Sequence, residues 1–341
     1  MNKAVSGQSG VRQVAKLAGV SVATVSRVFN QASNVRPDTR DKVMAAAKQL
    51  NYVPNSAARS LTMNRSYTIG IVIPTIDNSI FARFIDAIEQ TLATRGYGLI
   101  VATCGFDRHC ESRRVEELLK MGIEGLILSG AEHDPELLDL IAARNLPLVC
   151  TSLFDAEYPW PTIGYDNYTM GKAIARHLLD HGHRTFHILS GPQALIDRTR
   201  IRVQGILDEL QEAGISDAAI SETELNFAAG CEAAQNILTA PLNFTALLCT
   251  SDVLAMGVLL EAPRQGIRIP QQLSVTGFDD QDWAAVSNPG LTSVHTPSRR
   301  MGDATAQALM DNIEQGLPVD SQLIDSHLVI RGSSGPAPSA P

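Results

Sequence analysis

Residues 11–61 decide the fold of the N-terminal part of the chain, and they run VRQVAKLAGVSVATVSRVFNQASNVRPDTRDKVMAAAKQLNYVPNSAARSL. From Val11 onward, apolar residues recur at i, i+3, i+4 and i+7, which predicts one buried face of a short helix that ends at Gly19. Ser21 can cap a second helix through its hydroxyl, and Val22–Phe29 then carries valines inward at helical spacing. Two short helices joined by a turn that contains glycine predict a helix-turn-helix.

The second helix of this motif enters the DNA major groove, with its N-terminal residues against the base edges. Val22, Ala23 and Arg27 are therefore expected to face bases. Arg27 suits the O6 and N7 acceptors of guanine, whereas the two apolar side chains can contact only groups such as the thymine methyl. Hydroxyl and amide side chains suit phosphates, which position the helix without specifying sequence. These candidates are Ser21, Thr24, Ser26 and Asn30.

A third helix is predicted to start near Pro37, because proline is tolerated in a first helical turn. We expect its buried stripe to consist of Val43, Met44, Ala47 and Leu50, and its role to be structural.

The segment 55–61 that follows is too short to form a stable helix alone. It has a capping residue at its start, small side chains in the middle and a large apolar residue at its end.

Three runs of sequence resemble a known family, and they are AGVSVATVSRVFN (18–30), TRDKVMAAAKQLNYVPN (39–55) and AARSL (57–61). Together they resemble the lactose/galactose repressor family (LacI/GalR), and the Val-Ala pair at 22–23 is similar to its galactose-repressor branch. The resemblance implies that 55–61 forms a helix only on operator DNA, with two such hinges in the minor groove.

Leu61 would then be wedged between base steps, and Asn55, Ala58 and Arg59 would help to position the hinge. Small residues allow two helices to pack closely, and an apolar wedge kinks the duplex in return for extra contact. Gly10 stands where family members usually have Thr or Ser, so the first helix is expected to be capped less well, with Ser9 as a substitute.

The distribution of charge also divides the chain, close to residue 65. Residues 1–65 contain ten Lys and Arg and two Asp, a net +8, whereas the remainder contains 18 basic and 34 acidic residues, a net −16. A basic head on an acidic body indicates a nucleic-acid-binding end attached to a different kind of domain.

No apolar stretch has the length of a membrane-spanning helix, and the start of the chain lacks the apolar region of a signal peptide. The five cysteines are scattered, without a C-x-x-C pair, which is typical of reduced thiols. We therefore expect a cytoplasmic protein with no membrane contact, and no metal or cofactor.

Beyond Tyr67 the pattern changes to alternating apolar strands and amphipathic helices, which predicts parallel sheets with helices on both faces. The predicted strands are Thr68–Ile73, Gly98–Ala102, Gly125–Leu128, Leu146–Cys150, Phe186–Leu189, Ala246–Cys249 and Leu273–Thr276. The predicted helices include Phe81–Arg95, Glu111–Met121, Met170–Asp180, Ile201–Ala213, Gly230–Leu238 and Val253–Glu261.

This body is long for one sheet, and it resembles the family core, which is similar to periplasmic sugar-binding proteins. The predicted fold is a small all-α helix-turn-helix headpiece plus an α/β two-lobed core with two doubly wound parallel sheets. The resemblance implies three crossings between the lobes. Lobe one would span about 67–161 and 293–325, and lobe two about 162–292 and 326–332.

The domain prediction follows from these boundaries. It comprises a polar tail at 1–10, a helix-turn-helix domain at 11–54, a hinge and linker at 55–66, a core at 67–331 and a tail at 332–341. The last segment is rich in Ser, Pro and Gly and is expected to be disordered.

The cleft between two such lobes is where a small polar effector would bind. The resemblance places Arg202 and Asp279 on effector hydroxyl, amine or carboxylate groups, with Ser251 at a position where a relative has Asn. It also places Phe81 and Phe227 beside the ligand. Each has a structural alternative: Arg202 as a surface charge, Asp279 as a loop cap, and the two phenylalanines as ordinary core residues.

An enzyme gains no support from the sequence. Gly171-Lys172 is followed by Ala173, so the hydroxyl of a phosphate-binding loop is missing, and the histidines at 181, 183 and 187 lack the partners of a zinc site. Two hypotheses remain. The first is a homodimeric repressor whose hold on double-stranded operator DNA is controlled by a small-molecule effector. Arginine, aspartate and aromatic residues suit a sugar or sugar acid, but a nucleobase would use much the same residue types. The second is a solute-binding or enzyme body with a vestigial DNA-binding head.

Overall fold

The computed structural model describes residues 10–29, 35–53, 65–239 and 242–338. The chain separates into two compact units, Met1–Tyr67 and Thr68–Pro341.

The first unit contains three helices, α1 (Val11–Ala18), α2 (Val22–Phe29) and α3 (Pro37–Gln49). α1 ends at Gly19, whose φ of 65° is a left-handed conformation that glycine adopts at no steric cost. The helices enclose a small apolar core, as the spacing predicts. Its buried members are Val14, Ala15, Val25, Val28, Val43, Ala46 and Ala47.

One part of the predicted stripe on α3 is wrong. Val43 and Ala47 are buried and Leu50 is half-buried against them, but Met44 is 50% exposed. Successive residues of a helix are about 100° apart, so Met44 lies away from Val43, and Ala46 takes the inward position.

The second unit contains two six-stranded sheets with helices between the strands. The strands are β1 (Thr68–Ile73), β2 (Gly98–Thr103), β3 (Gly125–Ser129), β4 (Leu148–Thr151), β5 (Thr162–Gly164), β6 (Phe186–Ser190), β7 (Ala219–Glu222), β8 (Ala246–Cys249), β9 (Ser274–Asp279), β10 (Thr292–His295), β11 (Gln322–Leu323) and β12 (His327–Val329). The helices are α4 (Ser79–Ala93), α5 (Arg108–Lys120), α6 (Pro135–Ala143), α7 (Asn167–Asp180), α8 (Asp197–Glu212), α9 (Phe227–Ile237), α10 (Asp252–Arg264), α11 (Asp282–Val286) and α12 (Ser298–Gln315).

The first sheet has the strand order β11-β5-β4-β3-β1-β2 and is parallel throughout. The second has the order β12-β10-β9-β8-β6-β7 and is parallel except for the edge strand β12. We call the first sheet with α4, α5, α6 and α12 lobe one, and the second sheet with α7–α11 lobe two. The predicted fold class is confirmed.

The predicted lobe boundaries fall about three residues early. The strand β5 pairs with β4, with Thr162 opposite Cys150, and therefore belongs to lobe one. In the same way, β10 pairs with β9 and belongs to lobe two, so the chain leaves that lobe only after His295. The hydrogen bonds of the three-residue strand β5 place the first crossing later than the resemblance implies.

The prediction of disorder for the tail is wrong for 332–338. Ser333 is fully buried: its N–H donates to Gly290 O at 2.9 Å, and its carbonyl accepts from Val275 N at 2.8 Å. The N–H of Ala337 donates to His181 O at 2.8 Å. These backbone hydrogen bonds order a segment whose composition alone indicates a flexible chain.

Two glycines bring α7 and α8 into direct backbone contact. A Cβ on Gly205 would lie 2.2 Å from Tyr168 O, and one on Gly171 would lie 2.3 Å from Arg202 O. Only glycine fits at either position, and the close approach places Arg202 of α8 beside the start of α7.

Candidate functional site

The exposed face of α2 is the candidate DNA-reading face. The Ser21 Oγ accepts from Thr24 N at 3.1 Å, so this serine caps α2 as its position predicts. Val25 and Val28 are turned into the core, whereas Val22, Ala23 and Arg27 are exposed. Thr24 and Ser26 are half-buried on the same helix. The predicted base-facing side chains therefore share one accessible surface.

The other predicted DNA contacts lie outside the described residues. They are Asn30, Asn55, Ala58, Arg59 and Leu61.

The start of α1 has no side-chain cap. Its N-cap residue is Gly10, and no side chain accepts from the first N–H groups among the described residues. Ser9, the predicted substitute, lies outside the described part of the chain.

A cavity lies between the two lobes of the core. Elements of both lobes contribute to its wall, mainly through the segments that follow the carboxyl ends of parallel strands, where ligands bind in sheets of this kind. Its lining residues are Thr75, Asn78, Ile80, Phe81, Phe84, Phe106, Ser152, Tyr165, Ile196, Arg198, Thr199, Arg202, Leu225, Ser251, Asp279, Thr296 and Met301. Four of the five predicted effector residues are thus brought together: Phe81, Arg202, Ser251 and Asp279.

Arg202 is buried and is held by three hydrogen bonds. Its Nε donates to Asn167 Oδ1 at 2.8 Å and its Nη1 to Thr250 O at 2.7 Å. Its Nη2 donates to the Tyr165 hydroxyl at 2.9 Å. A guanidinium has five N–H groups, so two remain for a ligand. Arg202 is therefore no surface charge, and the cavity has a rigid donor at its wall.

Asp279 lies at the end of β9 and accepts from the Ser251 hydroxyl at 2.9 Å. Its φ of 124° is a conformation that side-chain-bearing residues rarely adopt, and such strain clusters at functional sites. Burial raises the pKa of this carboxyl although the charge of Arg202 acts in the opposite direction. The pKa of the neighbouring Asp252 is also raised, mainly by burial and secondly by the charge of Asp279.

The two predicted aromatic residues occupy different places. Phe81 on α4 is half-buried and lines the inner cavity. Phe227 is the first residue of α9 and is 45% exposed. It lines a wider, more open space at the mouth of the cleft. Phe106 and Leu225 line both this space and the inner cavity.

Sequence reasoning missed several cavity residues. Tyr165 follows β5 and is almost fully buried, so its aromatic side chain is indistinguishable in sequence from a core residue. Thr296 lies at the second lobe crossing, directly after β10, and its Oγ1 is buried with no hydrogen-bond partner within the described structure. Asn78 caps α4 by accepting from Ile80 N at 3.2 Å. A capping asparagine after a strand was a signal that could have found it.

Two other groups have structural roles. Asp166 caps α7, accepting from Thr169 N at 2.9 Å. His181 is the C-cap of the same helix, and the His183 ring bonds to Thr245, Ser274 and Gly335. Within the described ranges, no three His, Cys, Asp or Glu side chains are grouped so as to hold a metal ion. No described helix is both long and apolar enough to cross a membrane.

Two family models match the chain. Residues 11–55 match the bacterial regulatory proteins of the lacI family, and residues 175–334 match the periplasmic binding protein-like domain. The repressor CytR of Escherichia coli (strain K12) is 32% identical over 332 residues, 96% of this chain and 97% of that protein. The repressor PurR of Proteus mirabilis is 33% identical over 336 residues, again 96% of this chain and 97% of that protein.

Solved structures agree with these relatives. A LacI-family transcriptional regulator from Silicibacter pomeroyi has a TM-score of 0.87 at 25% identity and covers 95% of this chain and 99% of its own. The lac repressor dimer bound to operator and the anti-inducer ONPF has a TM-score of 0.85 at 27% identity, covering 96% and 99%. The chain belongs to the lacI family of bacterial regulatory proteins, and the named relatives are transcriptional repressors.

Proposed function

We propose that this protein is a sequence-specific transcriptional repressor whose affinity for operator DNA is set by a small molecule bound between the lobes of its core. One observation carries the proposal: a chain with a helix-turn-helix reading face also has, between two lobes, a cavity with a buried arginine and a buried carboxylate at its wall. A vestigial head would have no reason to keep Val22, Ala23 and Arg27 on one exposed face.

The active species is a homodimer. Two reading helices related by a two-fold axis require a near-palindromic operator, because the symmetry of the protein is imposed on the site. The lac repressor structure bound to operator is a dimer, which supports this assignment. Because operator DNA lies in the cytoplasm, the proposal includes a cytoplasmic location.

The effector is a small polar molecule, a sugar or sugar acid. Arg202 offers two free N–H groups, Asp279 offers a carboxylate oxygen, and the Tyr165 hydroxyl, which accepts from Arg202, still has its proton to donate. Neighbouring hydroxyls on a sugar both donate and accept, so they match this alternation. A related structure, CelR at 27% identity and a TM-score of 0.69, is a complex with cellobiose.

Effector binding releases the operator. The effector favours one arrangement of the lobes by its differential affinity, and such coupling is typically about 1–3 kcal/mol. In the proposed mechanism the lobe arrangement determines whether the segment 55–61 can grip the minor groove, with Leu61 as the wedge.

Selection from a pool of random duplexes tests the proposal directly. The full-length protein should enrich a near-palindromic sequence, and Leu61→Ala should leave a folded dimer that retains mainly non-specific affinity. Recovery of no consensus from the pool contradicts operator recognition, and wild-type affinity of the Leu61 variant contradicts the wedge.

A thermal-shift screen against sugars, sugar acids and nucleobases tests the effector. A compound that stabilises the wild type should not stabilise Arg202→Ala, and it should weaken operator binding by the wild type only. A ligand that stabilises both proteins equally binds elsewhere.

A further inference from the structure

Gln281 joins the two lobes across the effector cleft. It lies between β9 and α11 of lobe two and is buried. Its Nε2 donates to Asn78 Oδ1 at 3.0 Å, and its Oε1 accepts from the Ser79 hydroxyl at 3.1 Å, both in lobe one. We call these three residues the Gln281 clasp.

Both ends of the clasp are continuous with groups that line the effector cavity. Asn78 itself lines the cavity and caps α4 of lobe one. On the other side, Asp279 lines the cavity two residues before Gln281, and the Gln281 N–H donates to Asp252 Oδ2 at 2.8 Å. A molecule that moves either Asn78 or the end of β9 must therefore strain or strengthen the clasp.

Two other cross-lobe contacts differ from the clasp in chemistry or in exposure. Asp197 of lobe two accepts from Ala131 N of lobe one at 2.7 Å. Burial alone would raise the pKa of Asp197. The Arg198 guanidinium and the Ala131 N–H outweigh burial, so the pKa of Asp197 lies below its usual value. Arg83 pairs with Asp282, whose side chain is 94% exposed, and pairs so exposed contribute little. Of these three contacts, the Gln281 clasp is neutral and in contact with the cavity wall, and its glutamine is buried although Ser79 is exposed.

We propose that Gln281 is the positioning residue that couples effector binding to the lobe arrangement, and through it to operator affinity. The inference rests on the proposed function. Each of the two neutral hydrogen bonds is made in just one lobe arrangement. Each therefore shifts the equilibrium between the lobe arrangements by roughly 2- to 10-fold. That range overlaps the roughly 5- to 150-fold coupling that allosteric proteins show.

Trp283 is a natural reporter of the clasp, because its Nε1 donates to the same Gln281 Oε1 at 3.1 Å. The chain has two tryptophans, so Trp160→Phe leaves Trp283 as the single fluorophore. In this full-length background we measure the quenching of Trp283 by acrylamide, without effector or DNA.

Ser79→Ala is the informative variant, because Ser79 lies in lobe one and reaches the indole only through Gln281. Ser79→Ala should raise the quenching constant about 1.5-fold and Gln281→Ala about 2-fold or more, the larger effect because it removes both cross-lobe bonds. Gln90→Ala is the matched control, since among the described residues Gln90 bonds to Asp86 on its own helix. Circular dichroism verifies that each variant is folded.

If Ser79→Ala leaves the quenching unchanged, the clasp does not hold the lobes and the proposal is overturned. In the second arm, Gln281→Ala should weaken binding to the selected operator about 3- to 10-fold, because the proposal assigns the lobe arrangement that holds the clasp to the operator-bound state and the variant destabilises it. Changed quenching with unchanged operator affinity overturns the coupling role. A gain in operator affinity supports the coupling and instead contradicts release as the effect of the ligand, so the two proposals fail separately.

Discussion

The guanidinium carbon of Arg202 lies 3.6 Å from the centroid of the Phe278 ring, and the guanidinium also donates to groups on three sides. The electron-rich face of the ring stabilises the buried cation without using any of its N–H groups. The ring and the three hydrogen bonds together fix the plane of the guanidinium at the cavity wall.

Arg202→Lys should lose the effector response and destabilise the fold. A lysine ammonium has no planar fork, so it cannot donate to Asn167, Thr250 and Tyr165 together, and unsatisfied buried groups cost about 1–3 kcal/mol. Urea unfolding should show this loss, and ligand-induced stabilisation should disappear. Arg200→Lys, in a half-exposed ion pair with Glu132, is the control and should lose less than about 1 kcal/mol. Equal losses in both variants would show that burial of Arg202 has no special role.

Arg27→Ala should relax the preference for a single base pair. Loss of a side chain that reads guanine costs about 1–3 kcal/mol and removes discrimination at that position only. Competition binding with operators changed one base pair at a time measures this. Arg12→Ala removes an exposed charge from α1 and should weaken binding to all these duplexes alike. An unchanged preference in Arg27→Ala rejects the assignment of this residue.

Gly205→Ala should disturb the effector site without touching it. The added Cβ meets Tyr168 O at 2.2 Å, so α7 and α8 must separate and Arg202 must move from Asn167. Overpacking of this kind costs about 1–3 kcal/mol. Thermal unfolding and ligand titration should both reveal it. The control is Gly98→Ala, since a Cβ on Gly98 has nothing within 4 Å. Normal ligand affinity in Gly205→Ala would show that the helix spacing does not position Arg202.

Asp252→Asn should stabilise the protein at alkaline pH more than at acidic pH. Burial and the charge of Asp279 raise the pKa of Asp252 in the folded state, so the folded protein binds this proton more tightly than the unfolded chain does. Stability from this group is therefore complete below the ordinary Asp pKa of about 4 and falls as pH rises toward the raised value. An asparagine stays neutral and can still accept from Gln281 N.

Urea unfolding at about pH 5 and about pH 8 measures the difference between Asp252→Asn and wild type. A gain in unfolding free energy that is larger at the higher pH is the expected result. A pH-independent difference would mean that Asp252 titrates alike in the folded and unfolded chain.

The fold could be predicted further than the site. Helical spacing, Gly19 and the Ser21 cap fix the headpiece, and strand-helix alternation fixes two parallel sheets. Edge strands of two or three residues, such as β5 and β11, have too few residues to show a pattern, so the lobe boundaries were misplaced.

The resemblance to the family led to Arg202 and Asp279, and both residues line the cavity. Tyr165 and Thr296 were not predicted as site residues because a buried tyrosine or threonine is ordinary. Their position in the cavity wall is what distinguishes them. The exposure of Met44 was missed for a different reason. Apolar residues commonly stand beside core positions, and whether such a residue is buried depends on which side of the helix it lies.

The candidate DNA-reading face of α2 is partly apolar. Val22 and Ala23 have no hydrogen-bonding side chain, so at the bases that we propose they contact, only the presence of a methyl group matters. To these two residues 5-methylcytosine resembles thymine, and uracil resembles cytosine. The half-site they contact should therefore respond to enzymatic methylation of cytosine, a chemical mark on the DNA that changes no base pair.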